Sequence, residues 1–86
     1  MHRTTGRFWR CYRQLPREVR KRADRTFDLL RDNPRHPSLH FKPIGRLWSV
    51  RVDTAHRAIA VPDGDDYIWV WIGPHGEYER LVGRQR

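Results

Sequence analysis

The sequence predicts an α+β fold: an N-terminal helical hairpin packed on a four-stranded antiparallel sheet, with a short C-terminal helix. Three observations carry that reading. Two apolar stripes of helical spacing meet at Pro16, the period changes to alternation near residue 39, and Tyr67-Ile68-Trp69-Val70-Trp71-Ile72 is apolar on both faces. A helix buries a stripe, an ordinary strand buries every second side chain, and a short run apolar throughout marks a strand covered twice.

Within residues 7–14, Phe8 and Tyr12, followed by Leu15, give the i, i+4, i+7 spacing of a helix, and Thr4 or Thr5 can cap its start. Pro16 stops this helix and opens the next, because proline is tolerated in a first turn and not inside a helix. The second helix, residues 16–32, places Val19, Ala23, Phe27 and Leu30 on one face and Arg17, Arg20, Lys21, Arg25, Asp28 and Arg31 on the other. Asn33-Pro34 ends it, and Pro37 keeps the following loop extended.

Alternation starts with Leu39-His40-Phe41-Lys42, turns at Gly45 and continues through Leu47-Trp48-Ser49-Val50-Arg51-Val52. A two-residue tip at Thr54-Ala55 sets Val50 opposite Ile59 and Trp48 opposite Val61, leaving Ser49, Arg51, Ala58 and Ala60 on the open face. A slip of one residue in that turn would move Arg51 relative to its neighbours. Pro62-Asp63-Gly64-Asp65-Asp66 is a second turn, Gly73-Pro74 ends the apolar strand, and residues 76–82 suit a short helix.

The chain of 86 residues reads as a single domain, residues 1–86, without repeats or linkers. A domain of this size buries only about 60% of its unfolded surface, so a tight partner would help keep it folded. The lone Cys11 excludes an internal disulfide and suits a reducing, cytoplasmic location. No stretch reaches the roughly 18 apolar residues of a membrane span, and the basic N-terminus lacks the apolar region of a secretory signal. Eighteen Lys+Arg against ten Asp+Glu give a formal charge of +8. That balance points to a polyanionic partner such as nucleic acid or an acidic protein. For the excess of arginine over lysine, a GC-rich coding sequence is a plainer account than selection for arginine chemistry.

The sequence resembles a known family. Phe8-Trp9 with Tyr12 and Leu15-Pro16, the stretch Asn33 to Leu39, Phe41-Lys42, Trp48 to Val52, His56-Arg57-Ala58, and Trp69 to Gly73 with His75 and Tyr78 look like the RelE/ParE toxins of type II toxin–antitoxin systems. The likeness spans residues 7 to 82. It implies a toxin neutralised by a cognate antitoxin protein. RelE-like members cut mRNA, usually on the ribosome, whereas ParE-like members poison DNA gyrase without a nuclease centre. Arg51 and Arg57 match the two arginines around the third strand, and His75 and Tyr78 match the His/Tyr positions between the last strand and the C-terminal helix. His56 departs from the pattern, which often carries an aromatic residue before the arginine.

Metal-independent RNA cleavage needs a base for the 2′-OH, positive charge for the phosphorane, and an acid for the leaving oxygen. His75 suits the first or third role, because imidazole titrates near neutral pH and this residue lies just ahead of a helix N-terminus. Tyr78, one turn on, can position phosphate or exchange a proton; its alternative is packing the final helix. Arg51 interrupts an apolar strand with a group that matches phosphate geometry. The candidate catalytic residues are therefore His75, Tyr78 and Arg51, and the candidate RNA contacts are Arg57, Lys42 and His40. Arg57 could instead pair with Asp53. Glu77 could be a base or could simply offset the helix dipole. His36 and His40 have the i, i+4 spacing of a metal pair, but Pro37 lies between them and the stretch reads as extended, so that geometry fails. No metal or cofactor is expected. The expected partners are an antitoxin and RNA, with a gyrase poison or a non-catalytic RNA-binding protein as alternatives.

Overall fold

The computed structural model describes residues 1–83. Thr5 begins the first helix, α1 (Gly6–Arg13), by accepting the Phe8 N–H at 3.1 Å while its hydroxyl donates to the Trp69 carbonyl at 3.0 Å. One side chain thus caps the helix and ties it to the sheet. Pro16 precedes α2 (Arg17–Asp32), and Asn33 closes it with its N–H on the Leu29 carbonyl.

The strands are β1 (His2–Thr4), β2 (Lys42–Ile44), β3 (Leu47–Asp53), β4 (His56–Asp63) and β5 (Asp66–Pro74), and α3 (His75–Gly83) follows. Their order in the sheet is β1-β5-β4-β3-β2. The expected four-stranded antiparallel sheet is therefore a five-stranded mixed one, because β1 pairs parallel with β5, His2 opposite Tyr67. Arg3 anchors this edge on Asp63 and Asp66 of the β4–β5 turn, at 3.3 and 2.7 Å. The hairpin also differs from expectation. Each helix lies chiefly on the sheet, α1 on β5 and α2 on β3, and they meet each other through the Phe8–Phe27 edge contact and the Tyr12–Asp24 hydrogen bond.

Two further corrections concern the region that carries the candidate residues. Residues 39–42 do not form one strand. Leu39 completes a 3-10 turn (Pro37–Leu39), His40 takes a left-handed backbone with φ 44°, and β2 begins at Lys42. The β3–β4 register is also shifted by one, setting Val50 opposite Ala58, Ser49 opposite Ile59 and Trp48 opposite Ala60. The cause is Asp53, whose carboxylate accepts the Ala55 N–H at 2.8 Å and holds the His56 ring at 2.9 Å. This local closure pairs Asp53 with His56 and leaves an irregularity after Arg51. Because side chains alternate, the shift exchanges faces.

Ala58 and Ala60 consequently lie with Val50 and Val52 under Phe8, Leu15, Val19, Ala23 and Leu30 of the helical side. Ile59 faces the other way, where it packs with Trp71 of β5 and with Tyr78 and Val82 of α3. As expected, β5 is covered on both sides, by Trp69 towards the helical pair and by Trp71 towards α3. Gly73 permits this, since a Cβ there would stand 2.6 Å from the Trp71 ring.

Candidate active site

The α3 face leaves one end of the sheet uncovered, and the nominated residues meet there. Arg51 of β3 stands directly opposite Arg57 of β4, and Lys42 of β2 stands opposite Ser49 of β3. From above, α3 contributes His75, Tyr78 and Glu79, and the turn before β2 contributes His40. Together with Ile44 these residues line one recess of about 150 Å³. All six nominated residues, His75, Tyr78, Arg51, Arg57, Lys42 and His40, therefore share a single cleft.

Its geometry follows from a few anchors. The His75 N–H donates to the Ala55 carbonyl at 2.7 Å, pinning the start of α3 to the β3–β4 turn. That amide is thus occupied by the protein and does not face an anion. The His75 ring stands 3.3 Å through Nε2 from the Glu79 carboxylate, one turn along α3, and its side chain is 44% exposed. Tyr78 is buried, and its hydroxyl donates to Ser49 Oγ at 3.1 Å. Tyr78 thus fills the packing role, against Ile59, Trp71 and Val82, with its hydroxyl held by Ser49. Its ring lies 5.7 Å from that of His75.

Arg57 does not pair with the Asp53 carboxylate. Its guanidinium donates to the backbone carbonyls of Asp53 and His56, at 2.5 and 2.9 Å. Burial, and then the neighbouring Arg51 charge, hold its pKa below the ordinary guanidinium value, with Tyr78, Asp53 and Glu79 opposing. Like charges directly opposite on neighbouring strands destabilise a sheet, so this arrangement favours an anion between them. Asp53 is instead a hub for the turn. Burial pushes its carboxyl up, but hydrogen bonds from His56, the Ala55 N–H and Arg22 outweigh that and hold it below the ordinary value.

Glu77 lies apart, in a separate recess with Arg7, Trp71 and Arg80. Sequence reasoning missed Glu79, although its position four residues after His75 on a helix was a usable signal. The largest of the recesses described, about 660 Å³, lies between α1, α2 and β1. Its walls are mainly aromatic, and its polar groups are engaged internally, Tyr12 with Asp24 and His2 with Trp69. The smaller cleft is the better site because, among the recesses described, it joins a proton carrier, a hydroxyl and several fixed positive charges.

The architecture, a mixed sheet with two helices on one face and a short helix on the other, is similar in fold to solved RelE and YafQ structures. No family model and no curated protein matches the chain. Solved structures do. A chain of the RelB-RelE antitoxin-toxin complex from Methanococcus jannaschii superposes with a TM-score of 0.72 at 14% identity, covering 92% of this chain and 96% of that one. YafQ from E. coli strain BL21(DE3) gives 0.72 at 12% identity, over 91% and 96% of the two chains. The YoeB/ParE toxin from Agrobacterium tumefaciens gives 0.64 at 14% identity, over 86% and 96%.

Proposed function

We propose that the chain is the toxin of a type II toxin–antitoxin module and acts as a metal-independent endoribonuclease on mRNA. The observation that carries this reading is the meeting of His75, Tyr78, Arg51 and Arg57 in one cleft of a RelE-like fold. In the proposed reaction the 2′-oxygen attacks phosphorus and gives its proton to His75, whose ring Glu79 orients. Arg51 and Arg57 hold the non-bridging oxygens and stabilise the phosphorane charge. The bond to the 5′-oxygen breaks as the Tyr78 hydroxyl gives that oxygen its proton, and the His75 imidazolium then returns a proton to the tyrosinate. The products are a 2′,3′-cyclic phosphate and a 5′-hydroxyl. Lys42 and His40 contact the strand at the cleft mouth. An antitoxin protein masks the basic surface, as the RelB-RelE structural neighbour suggests by analogy.

The test is induction of the chain in cells, with primer extension on mRNA and a parallel assay of DNA supercoiling. Discrete cleavage sites are expected, and purified protein should cut equally well in EDTA. Growth arrest should be relieved by co-expressing the protein encoded beside it. Intact transcripts accompanied by gyrase-trapped DNA breaks would replace this reading with a gyrase poison.

A further inference from the structure

Arg51 lines two recesses at once. β2 pairs with β3 only between Leu47 and Ser49, so β2 leaves the edge of β3 uncovered beyond that point. Past this edge lies a second recess, about 530 Å³, between α2 and β3. Arg22 and Arg25 border it from α2, where their i, i+3 spacing puts them on one helical face. Ser38 and Thr54 add hydroxyls from the flanking turns. Arg22 is half-exposed and paired with Asp53 at 3.2 Å. Arg25 is exposed, and among the described residues neither it nor Arg51 forms an ion pair with a carboxylate.

Three guanidinium groups around one recess are a donor array that matches phosphate oxygens. An acidic peptide could meet the same charges. Arg51 decides between the two, because it joins this recess to the cleft and so makes one track that a continuous strand can follow.

We propose that the recess between α2 and β3 binds the phosphates of the RNA strand flanking the scissile bond, through Arg22, Arg25 and Arg51. The inference rests on the reading of the cleft as an RNA site, but it concerns binding and can be tested without cleavage.

The experiment is fluorescence anisotropy with uncleavable, fully 2′-O-methylated oligonucleotides of about three and about nine nucleotides, lengths chosen to fill the cleft alone or both recesses. The longer strand should bind more tightly, with a salt slope steeper by about 0.7 for each added phosphate contact. Arg25→Ala should weaken the longer strand roughly tenfold, the scale of one charge-assisted contact. The same change should flatten the slope by about 0.7 and leave the shorter strand unaffected. Arg25→Gln should behave alike, and both variants should keep the wild-type unfolding midpoint because the side chain is exposed. Equal loss for both lengths, or no loss for either, overturns the proposal. So does wild-type protein that ignores both oligonucleotides and binds polyglutamate, which would give the recess to an acidic protein. A chain that cuts no mRNA yet shows the length-dependent Arg25 loss keeps this groove and loses only the nuclease reading.

Discussion

The two faces of the sheet are built on different terms. Under α1 and α2, Phe8, Leu30, Val50, Trp69 and Ile72 are almost wholly buried, and small alanines let the helices approach. Under α3 the apolar cluster is four buried residues, Ile59, Trp71, Tyr78 and Val82, and it gives way to arginines and a buried Tyr78–Ser49 hydrogen bond. The first face stabilises through area removed from water; the second leaves area open and spends its polar groups on holding a shape. A domain of this size has little stability to spare, so one face must carry the fold while the other is left more open.

Substitutions can break that division. The largest effect on stability is expected from Trp69→Ala, at about 3–5 kcal/mol, a large part of the roughly 5–15 kcal/mol available to a typical domain. Urea unfolding followed by circular dichroism reads it. A cost below about 1 kcal/mol would mean that the helical face does not carry the fold. The mirror-image case is His75→Ala, which should lower RNA cleavage by about 10²–10⁴-fold while leaving unfolding unchanged. Arg51→Ala should lose comparable activity, and Arg51→Lys should recover little of it if bidentate contact matters. Full cleavage by the His75→Ala protein would remove this residue from the mechanism.

Tyr78→Phe sharpens the comparison, because Tyr78 belongs to both terms. Losing the hydroxyl leaves the buried Ser49 Oγ without its donor and should cost about 1–3 kcal/mol. Adding Ser49→Ala should restore most of that stability, since replacing both partners avoids an unpaired polar group. If activity stays low when stability returns, the hydroxyl serves the reaction as well as the packing. The smallest effect belongs to Asp53. Its folded-state pKa is depressed, so its contribution is present above the unfolded value, about 4, and is lost as pH falls through the folded one. Asp53→Asn should therefore flatten the acid limb of a stability profile while lowering the plateau slightly.

Most of the architecture was legible in the sequence because hydrophobic period survives folding. The stripes of Phe8 and Tyr12 and of Val19, Ala23 and Leu30, and the doubly apolar 67–72 run, ended within a residue or two of expectation, β5 running on through Pro74. What escaped depends on long-range or side-chain geometry. β1 is three residues, His2-Arg3-Thr4, with no alternation to betray it, and it exists because β5 and the Asp63–Asp66 turn receive it. The register of β3 on β4 was decided by a carboxylate bonding to its own turn. The six nominated residues were each visible as a chemical type, but their meeting was not. It required α3 to cross the face that the register shift had given to Ile59, and Arg51 to face Arg57.

The parallel pairing of β1 with β5 also has a consequence in time. His2 finds its partner in Tyr67, so during synthesis this strand waits for nearly the whole chain to emerge. Contacts so distant in sequence close late, after local helices and hairpins have formed. In pulsed hydrogen exchange the β1–β5 amides should thus be the last to gain protection, after the β3–β4 ladder. Until that closure, nascent protein exposes the edge of β5 that β1 will cover.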